Sequence, residues 1–156
     1  MKFTFEALQD SRLMDGSAYF MTFGAMNSQQ DAAIVEGKLL TAFGKPLFVR
    51  DSYEDSFEYI IRATSEDGDS VILTVYGMGM VHIGAQRQDD YAQRAAEALI
   101  EYVSTFAPTD FSRTLYYPDA ELQIDIEVKD GVATVTQSPM ARSKLKEFFK
   151  SFFGGF

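Results

Sequence analysis

The sequence of 156 residues contains no cysteine, no tryptophan and a single histidine. The absence of cysteine excludes disulfides, zinc–thiolate centres, iron–sulfur clusters and a cysteine nucleophile, and it is typical of a reducing compartment. We therefore expect a cytoplasmic protein. GxSxG, HExxH and CxxC motifs are also missing, and Gly77 and Gly79 lack the third glycine of a dinucleotide-binding loop. These absences favour a protein that is not an enzyme and that uses no cofactor.

Long hydrophobic runs are missing as well. The longest uncharged windows, such as residues 70–83, reach only about half to two-thirds of the roughly 20 residues that a membrane-spanning helix needs. Glu6 interrupts the apolar residues at the N-terminus, which differs from the continuous apolar stretch of a signal peptide. We expect neither a membrane-spanning helix nor a secretory signal.

Acidic residues are abundant, with 23 Asp and Glu against 14 Lys and Arg and a net charge of -9. An acidic surface repels phosphate backbones, so we expect no binding to nucleic acid. Apolar residues make up 46% of a chain whose length is near the commonest domain size. The composition therefore predicts a single domain over residues 1–156 with its own hydrophobic core.

The hydrophobic periodicity predicts the element order ββ-α-βββ-α-ββ-α. Short turns between strands favour a mostly antiparallel sheet of about five to seven strands packed with three helices, an α+β fold. Residues 109–119 are predicted to form a loop. The predicted elements are a hairpin within 2–23, a helix over 28–43, a hairpin of 57–64 and 71–76, a strand over 80–85, a helix from Asp89 or Asp90 to about Phe106, a hairpin of 121–128 and 132–136, and a helix from Ser138 to about Phe153.

The C-terminal segment, residues 139–156, carries a local charge of +3, which leaves -12 on residues 1–138. Helical spacing places its apolar side chains on one face and its lysines on the other. Such a basic amphipathic helix can lie on an anionic membrane or enter a partner's groove, but packing on the chain's own sheet or across a homodimer is the favoured interpretation. The candidate partner-binding residues of this face are Leu145, Phe148, Phe149 and Phe152.

The predicted loop supplies a second candidate binding surface with Arg113, Tyr116 and Tyr117, because tyrosine and arginine are frequent at binding hot spots. Packing into the core is the alternative for these side chains. His82 alternates with Val81 and Ile83, so it faces the opposite side of its strand. Together with Tyr76 it is a candidate for lining a small-molecule pocket.

Acidic residues at positions 121, 125 and 127 alternate along one face of a predicted strand, where neighbouring carboxylates could approach a shared cation. A solvated strand face explains the same pattern. We favour that interpretation and expect no metal site.

From the first helix onward, the predicted order α-βββ-α-ββ-α resembles the layout of class I type III secretion chaperones and their non-secretory relatives. The resemblance covers about residues 28–153 and rests on element order and acidity. It includes no sequence motif, so no binding residue is carried over. It implies a small, acidic, cofactor-free dimer, which agrees with an isoelectric point near 4.5. The chain differs from that layout in its N-terminal hairpin.

Three functions follow as hypotheses. The first is a non-enzymatic protein-binding domain that masks a basic partner, such as an acidic chaperone, an immunity-type inhibitor or an adaptor. The alternative is a small-molecule-binding domain or enzyme with a pocket on the sheet. The third is peripheral membrane association through the C-terminal helix, which we consider less favoured.

Overall fold

The computed structural model describes residues 2–9, 19–24, 26, 28–49, 57–77 and 80–153; the side chains of residues 19, 20, 48, 49 and 148–153 lie outside this description. Within the described residues the chain is an α+β protein with antiparallel sheets and three α-helices, as the sequence predicts, and its nine strands form two sheets. In chain order these are β1 (Phe3–Leu8), β2 (Tyr19–Thr22), α1 (Gln29–Phe43), β3 (Phe48–Val49), β4 (Phe57–Ser65), β5 (Ser70–Gly77), β6 (Val81–Ala85), α2 (Asp90–Ser104), β7 (Phe111–Tyr117), β8 (Leu122–Lys129), β9 (Val132–Pro139) and α3 (Arg142–Phe153).

The larger sheet has the strand order β1-β4-β5-β6-β2, with β3 also paired to β4, and every pair is antiparallel. Strand β5 lies at its centre, which the nearly continuous apolar run of 71–76 predicts. The predicted hairpin of β4 and β5 is confirmed, with Ile61 opposite Leu73.

The predicted N-terminal hairpin is wrong. Strand β1 pairs with β4, with Phe5 opposite Ala63, whereas β2 pairs with β6, with Met21 opposite Ile83. Strands β4, β5 and β6 therefore separate them. Alternation of apolar residues shows which side chains face the core, but it does not identify the partner strand. Asp15 and Gly16, residue types that favour a turn, lie between these strands in the sequence and outside the described residues.

The second sheet has the order β7-β8-β9 and is also antiparallel. The predicted loop over 109–119 is wrong, because residues 111–117 form β7 and pair with residues 122–128 of β8. The β8–β9 hairpin is confirmed. Its turn contains Asp130 at φ 52° and Gly131 at φ 77°, the left-handed conformation for which an Asp-Gly pair is suited.

Side-chain caps set the starts of the first two helices. The Ser28 hydroxyl accepts a hydrogen bond from the Asp31 backbone N–H at 3.2 Å, and the Asp89 carboxylate accepts one from that of Ala92 at 2.9 Å. Both predicted starts are confirmed. The predicted start of the third helix at Ser138 is wrong, because β9 continues to Pro139, which is a residue tolerated at the end of an edge strand.

Helix α1 lies between the two sheets and contributes to two hydrophobic clusters. On one side, Leu39 packs with α2 and the inner face of the larger sheet, where Leu73, Val75 and Ile83 are fully buried. On the other side, Ala33 packs against an apolar face of the second sheet formed by Leu115, Ile124, Ile126 and Val128. Both sheets therefore pack against α1. Among the described residues, no helix has the length and apolar character needed to cross a membrane.

Tyr59 fastens β4 to the end of α1, because its hydroxyl donates to the Gly44 carbonyl at 2.7 Å. Burial, and secondarily the negative charge of Glu36, raise the pKa of Tyr59 far above its usual value. An unfolded tyrosine loses its proton above about pH 10. Protonated Tyr59 therefore stabilises the fold fully below that pH, and this stabilisation falls as the pH rises further.

We expect the wild type to be more stable than Y59F by about 1 kcal/mol at neutral pH, since the variant lacks one hydrogen bond. Above pH 10 this advantage should fall with a slope approaching about 1.4 kcal/mol per pH unit. Urea unfolding of both proteins at several alkaline pH values measures the difference. A constant difference from pH 8 upward would contradict a raised pKa of Tyr59.

Candidate functional site

The outer face of the second sheet, directed away from α1, forms an open trough of about 520 Å³. Strand alternation brings hydroxyl side chains from β7 and β9 and carboxylates from β8 onto this one face. Threonine and serine are therefore on both sides of two central acids. The residues lining the trough are Ser112, Arg113, Thr114, Tyr116, Asp125, Ile126, Glu127, Thr134, Thr136 and Lys144.

The two acids lie on β8 with one residue between them, so their Cα atoms are about 6.6 Å apart. Asp125 is held in place, because its carboxylate accepts hydrogen bonds from the Thr114 hydroxyl at 2.8 Å and from the Gln123 amide at 3.2 Å. Glu127 is exposed. This arrangement offers acceptors for two cationic side chains that project from one extended chain.

Glu121, the third acid of the predicted set, does not belong to β8. It follows the short 3₁₀ turn Pro118–Ala120 at φ 55°, before the strand begins. In the part of the chain that the structure describes, no three His, Cys, Asp or Glu side chains gather as metal ligands.

The first turn of α3 bounds one end of the trough. The Lys144 ammonium lies 4.8 Å from the centroid of the Tyr116 ring and 3.2 Å from the Glu147 carboxylate. Both Tyr116 and Lys144 are half-buried. This end of the trough therefore carries an ammonium paired with a carboxylate, whereas its middle carries the two carboxylates of β8.

Arg113 faces the opposite side of β7 and lies between the layers. Its Nη2 donates to Glu36 Oε1 of α1 at 2.7 Å, and the two side chains are only 11% and 8% exposed. Its Cζ lies 5.7 Å from the centroid of the Phe57 ring. The adjacent cavity of about 20 Å³ is comparable to a single water molecule and too small for an organic ligand. Arg113 thus joins α1 to the second sheet.

The structure separates the three residues of the predicted loop surface. Arg113 and Tyr117 are on the inner face of β7, where Tyr117 packs against the Leu115 cluster, while Tyr116 faces the trough. Thr134 and Thr136 were not predicted as residues of a site. The strand-period spacing of these threonines on β9 was the available signal for them.

Tyr76 and His82 lie directly opposite each other on β5 and β6, with ring centroids 5.4 Å apart. They are on the face of the larger sheet that is turned away from α1 and α2, as the alternation around His82 predicts. Burial, and secondarily the charge of Glu58 on the neighbouring strand, raise the pKa of Tyr76. Neither residue lines the trough or the Arg113 cavity.

A third concavity, of about 260 Å³, lies beside α1 and α2 and is mostly apolar. Lys38 at its rim donates to the Ser104 carbonyl at 3.0 Å. Its lining residues are Phe23, Gly24, Met26, Asp31, Ile34, Val35, Lys38, Ile100, Val103 and Ser104. Tyr76 and His82 are not among them.

The predicted C-terminal helix is present as α3, and Leu145 on it is half-buried. The side chains of Phe148, Phe149 and Phe152 lie outside the described part of the chain. Their role in partner binding stays a prediction.

Searches of protein families, of curated proteins and of solved structures find no match to this chain.

Proposed function

We propose that this chain is a non-enzymatic protein-binding domain that holds a basic, extended segment of a partner protein in the trough on the outer face of β7-β8-β9. The observation that carries the proposal is the pair of carboxylates, Asp125 and Glu127, at the centre of an open polar face.

The spacing of the trough suits an extended segment. Alternate residues of a strand project to the same side about 6.6 Å apart, which equals the separation of Asp125 and Glu127 along β8. A lysine or arginine at every second position can therefore meet each acid in turn. Charge-assisted hydrogen bonds of this kind are among the stronger polar contacts of proteins. Hydroxyl groups of β7 and β9 add neutral donors and acceptors on both sides.

Lys144 sets the position of such a segment along the trough. Its ammonium is already paired with Glu147, so the Tyr116 end offers little attraction to a cationic side chain, while Asp125 and Glu127 attract one further along. The aromatic ring and the lysine stem there suit an apolar residue.

The charge of the whole chain supports the same partner chemistry. A net charge of -9, with -12 on residues 1–138, speeds association with a basic protein and makes it sensitive to salt. An acidic chaperone, an immunity-type inhibitor and an adaptor all act by masking a partner in this way. We place this activity in the cytoplasm, on the absence of cysteine.

A synthetic peptide as long as β8, in which lysine alternates with threonine, tests the proposal. We expect D125N/E127Q to weaken binding of this peptide by about tenfold, since two charge-assisted contacts are lost. Isothermal titration calorimetry at low and at physiological salt measures the affinity.

The matched control is E97Q/E101Q, which removes the same two charges from the exposed surface of α2. It should change the affinity by no more than about twofold, because only the long-range attraction is reduced. Equal losses for both variants would show that the peptide responds to net charge alone. No binding of the wild type at low salt would also overturn the proposal.

A further inference from the structure

Strand β9 presents a long edge that no other described strand covers. It pairs with β8 on one side only, and it spans eight residues. Sheet edges are normally protected by lysine or proline, by an inward-pointing charge, by a bulge, by a short strand or by a covering helix or loop. Helix α1 packs against the inner face of β9 through Ala133 and Val135. The segment 132–141 contains no charged residue, and its one proline, Pro139, is the last residue of the strand. Val132 is 65% exposed.

The β7 edge of this sheet differs from the β9 edge because it has an inward-pointing charge. Strand β7 carries Arg113, an inward-pointing charge bonded to Glu36. That feature is among the devices that discourage pairing at an edge. The contrast selects β9 as the edge that is open to another strand.

We propose that two copies of this chain pair through β9, in antiparallel orientation, and join their three-stranded sheets into one continuous sheet. Residues that lie opposite each other in an antiparallel pair share a face of the sheet. A register centred on Val135 keeps both inner faces on the same side and places Thr134 of each copy opposite Thr136 of the other. Val135, which is half-buried, then gains a neighbour of its own kind.

Charge favours a second copy as the occupant of this edge. The acidic body of one copy repels that of another, but β9 is uncharged and the segment after it, residues 139–156, carries +3. In the register centred on Val135, the start of α3 at Arg142 lies at the level of the β8–β9 turn of the other copy. That turn contains Asp130, whose backbone N–H donates to the Asp110 carboxylate at 3.0 Å. The two-fold symmetry of the dimer repeats this juxtaposition of Arg142 with the turn at Asp130 in both halves.

The inference does not depend on the proposed function, since pairing at the edge leaves the acids of both troughs on one open face. A change in peptide affinity and a change in mass are separate results. Sedimentation equilibrium of the wild type over a range of concentrations should show a species of twice the chain mass of 17.5 kDa. A mass of one chain at every concentration would overturn the proposal.

Charged substitutions test the position of the interface. T134E/T136E places like charges opposite each other across the two copies and should raise the dimer dissociation constant by about tenfold or more. T134K/T136K should raise it less, because its lysines also lie opposite Glu127 and Asp125 of the same copy. Mixing the two variants should restore dimers, because opposite charges then face each other. The matched control is S112K, in the same row of the sheet as Thr134 but on the β7 edge, which should stay dimeric.

Dissociation by S112K to the same extent, or failure of the mixed variants to associate, would place the contact elsewhere and overturn the proposal. Should the charged variants unfold, amide hydrogen exchange of the wild type decides the question. Protection of the β9 amides that rises with protein concentration supports the pairing, whereas constant protection overturns it.

Discussion

Replacement of Arg113 by methionine is expected to lower the free energy of unfolding by about 3 to 5 kcal/mol. The guanidinium and the Glu36 carboxylate are both buried between the layers, 2.7 Å apart. Methionine fills much of the same volume but removes the positive charge, so a charged carboxylate stays in a buried site. Chemical denaturation followed by circular dichroism measures the loss.

A double-mutant cycle separates the pair from the packing around it. We expect E36M/R113M to recover most of the loss, because replacing both members of a buried ion pair by apolar residues is often neutral or stabilising. The control is R62M on the larger sheet, whose partner Glu6 lies at 3.2 Å and whose side chain is 43% exposed. That exposed pair should contribute less than about 1 kcal/mol. If R113M lost no more stability than R62M, the buried pair would not join the layers.

The buried pair also shows where sequence patterns stop being informative. The stripe of apolar residues on α1 predicts one buried face. Leu39 and Phe43 on that face pack toward the larger sheet, as predicted. Ala33, Glu36 and Gly37 are on the other face and are also buried. The second sheet covers Ala33 and Glu36, whereas Pro108 and Thr109 lie against Gly37. A helix with apolar residues on most of its circumference is typical of a buried position. The glutamate in that face concealed the signal, because its cation comes from a strand 77 residues away.

The same arginine concealed β7. Phe111, Arg113, Leu115 and Tyr117 alternate with polar residues as a half-buried strand requires, but a charged residue at an inward position breaks the apolar pattern. Local features were predictable where the chemistry is local, as with the helix caps at Ser28 and Asp89 and the Asp-Gly turn. Strand partners were not, since they depend on contacts between distant segments.

The residues of the trough also divide into those that were predictable from local sequence and those that were not. Alternation along β8 correctly places Asp125 and Glu127 on the outer face, opposite Ile124 and Ile126. The wall formed by β7 and the end formed by the first turn of α3 do not follow from the sequence, whereas the wall formed by β9 belongs to the predicted hairpin. Tyr116 was selected for its residue type, and the structure places it beside Lys144.

The largest remaining test concerns the prediction of a single domain. Leu73 lies at the centre of the larger sheet, is fully buried, and belongs to the cluster that α1 and α2 cover. We expect L73A to lower the free energy of unfolding by about 2 to 5 kcal/mol, since it deletes buried methyl groups and leaves a cavity. V132A, at an exposed position of β9, is the control and should change stability by no more than about 0.5 kcal/mol.

Hydrogen exchange of L73A then shows whether the two sheets unfold together. If α1 couples them through Leu39 on one side and Ala33 on the other, the most protected amides of β8 should lose as much protection as those of β5, although β8 is distant from the substitution. Unchanged protection in β8 would mean that the second sheet unfolds as an independent unit. Equal losses would make α1 and the Arg113–Glu36 pair the connection through which a single cooperative core forms, because these are the contacts that bridge the two hydrophobic clusters.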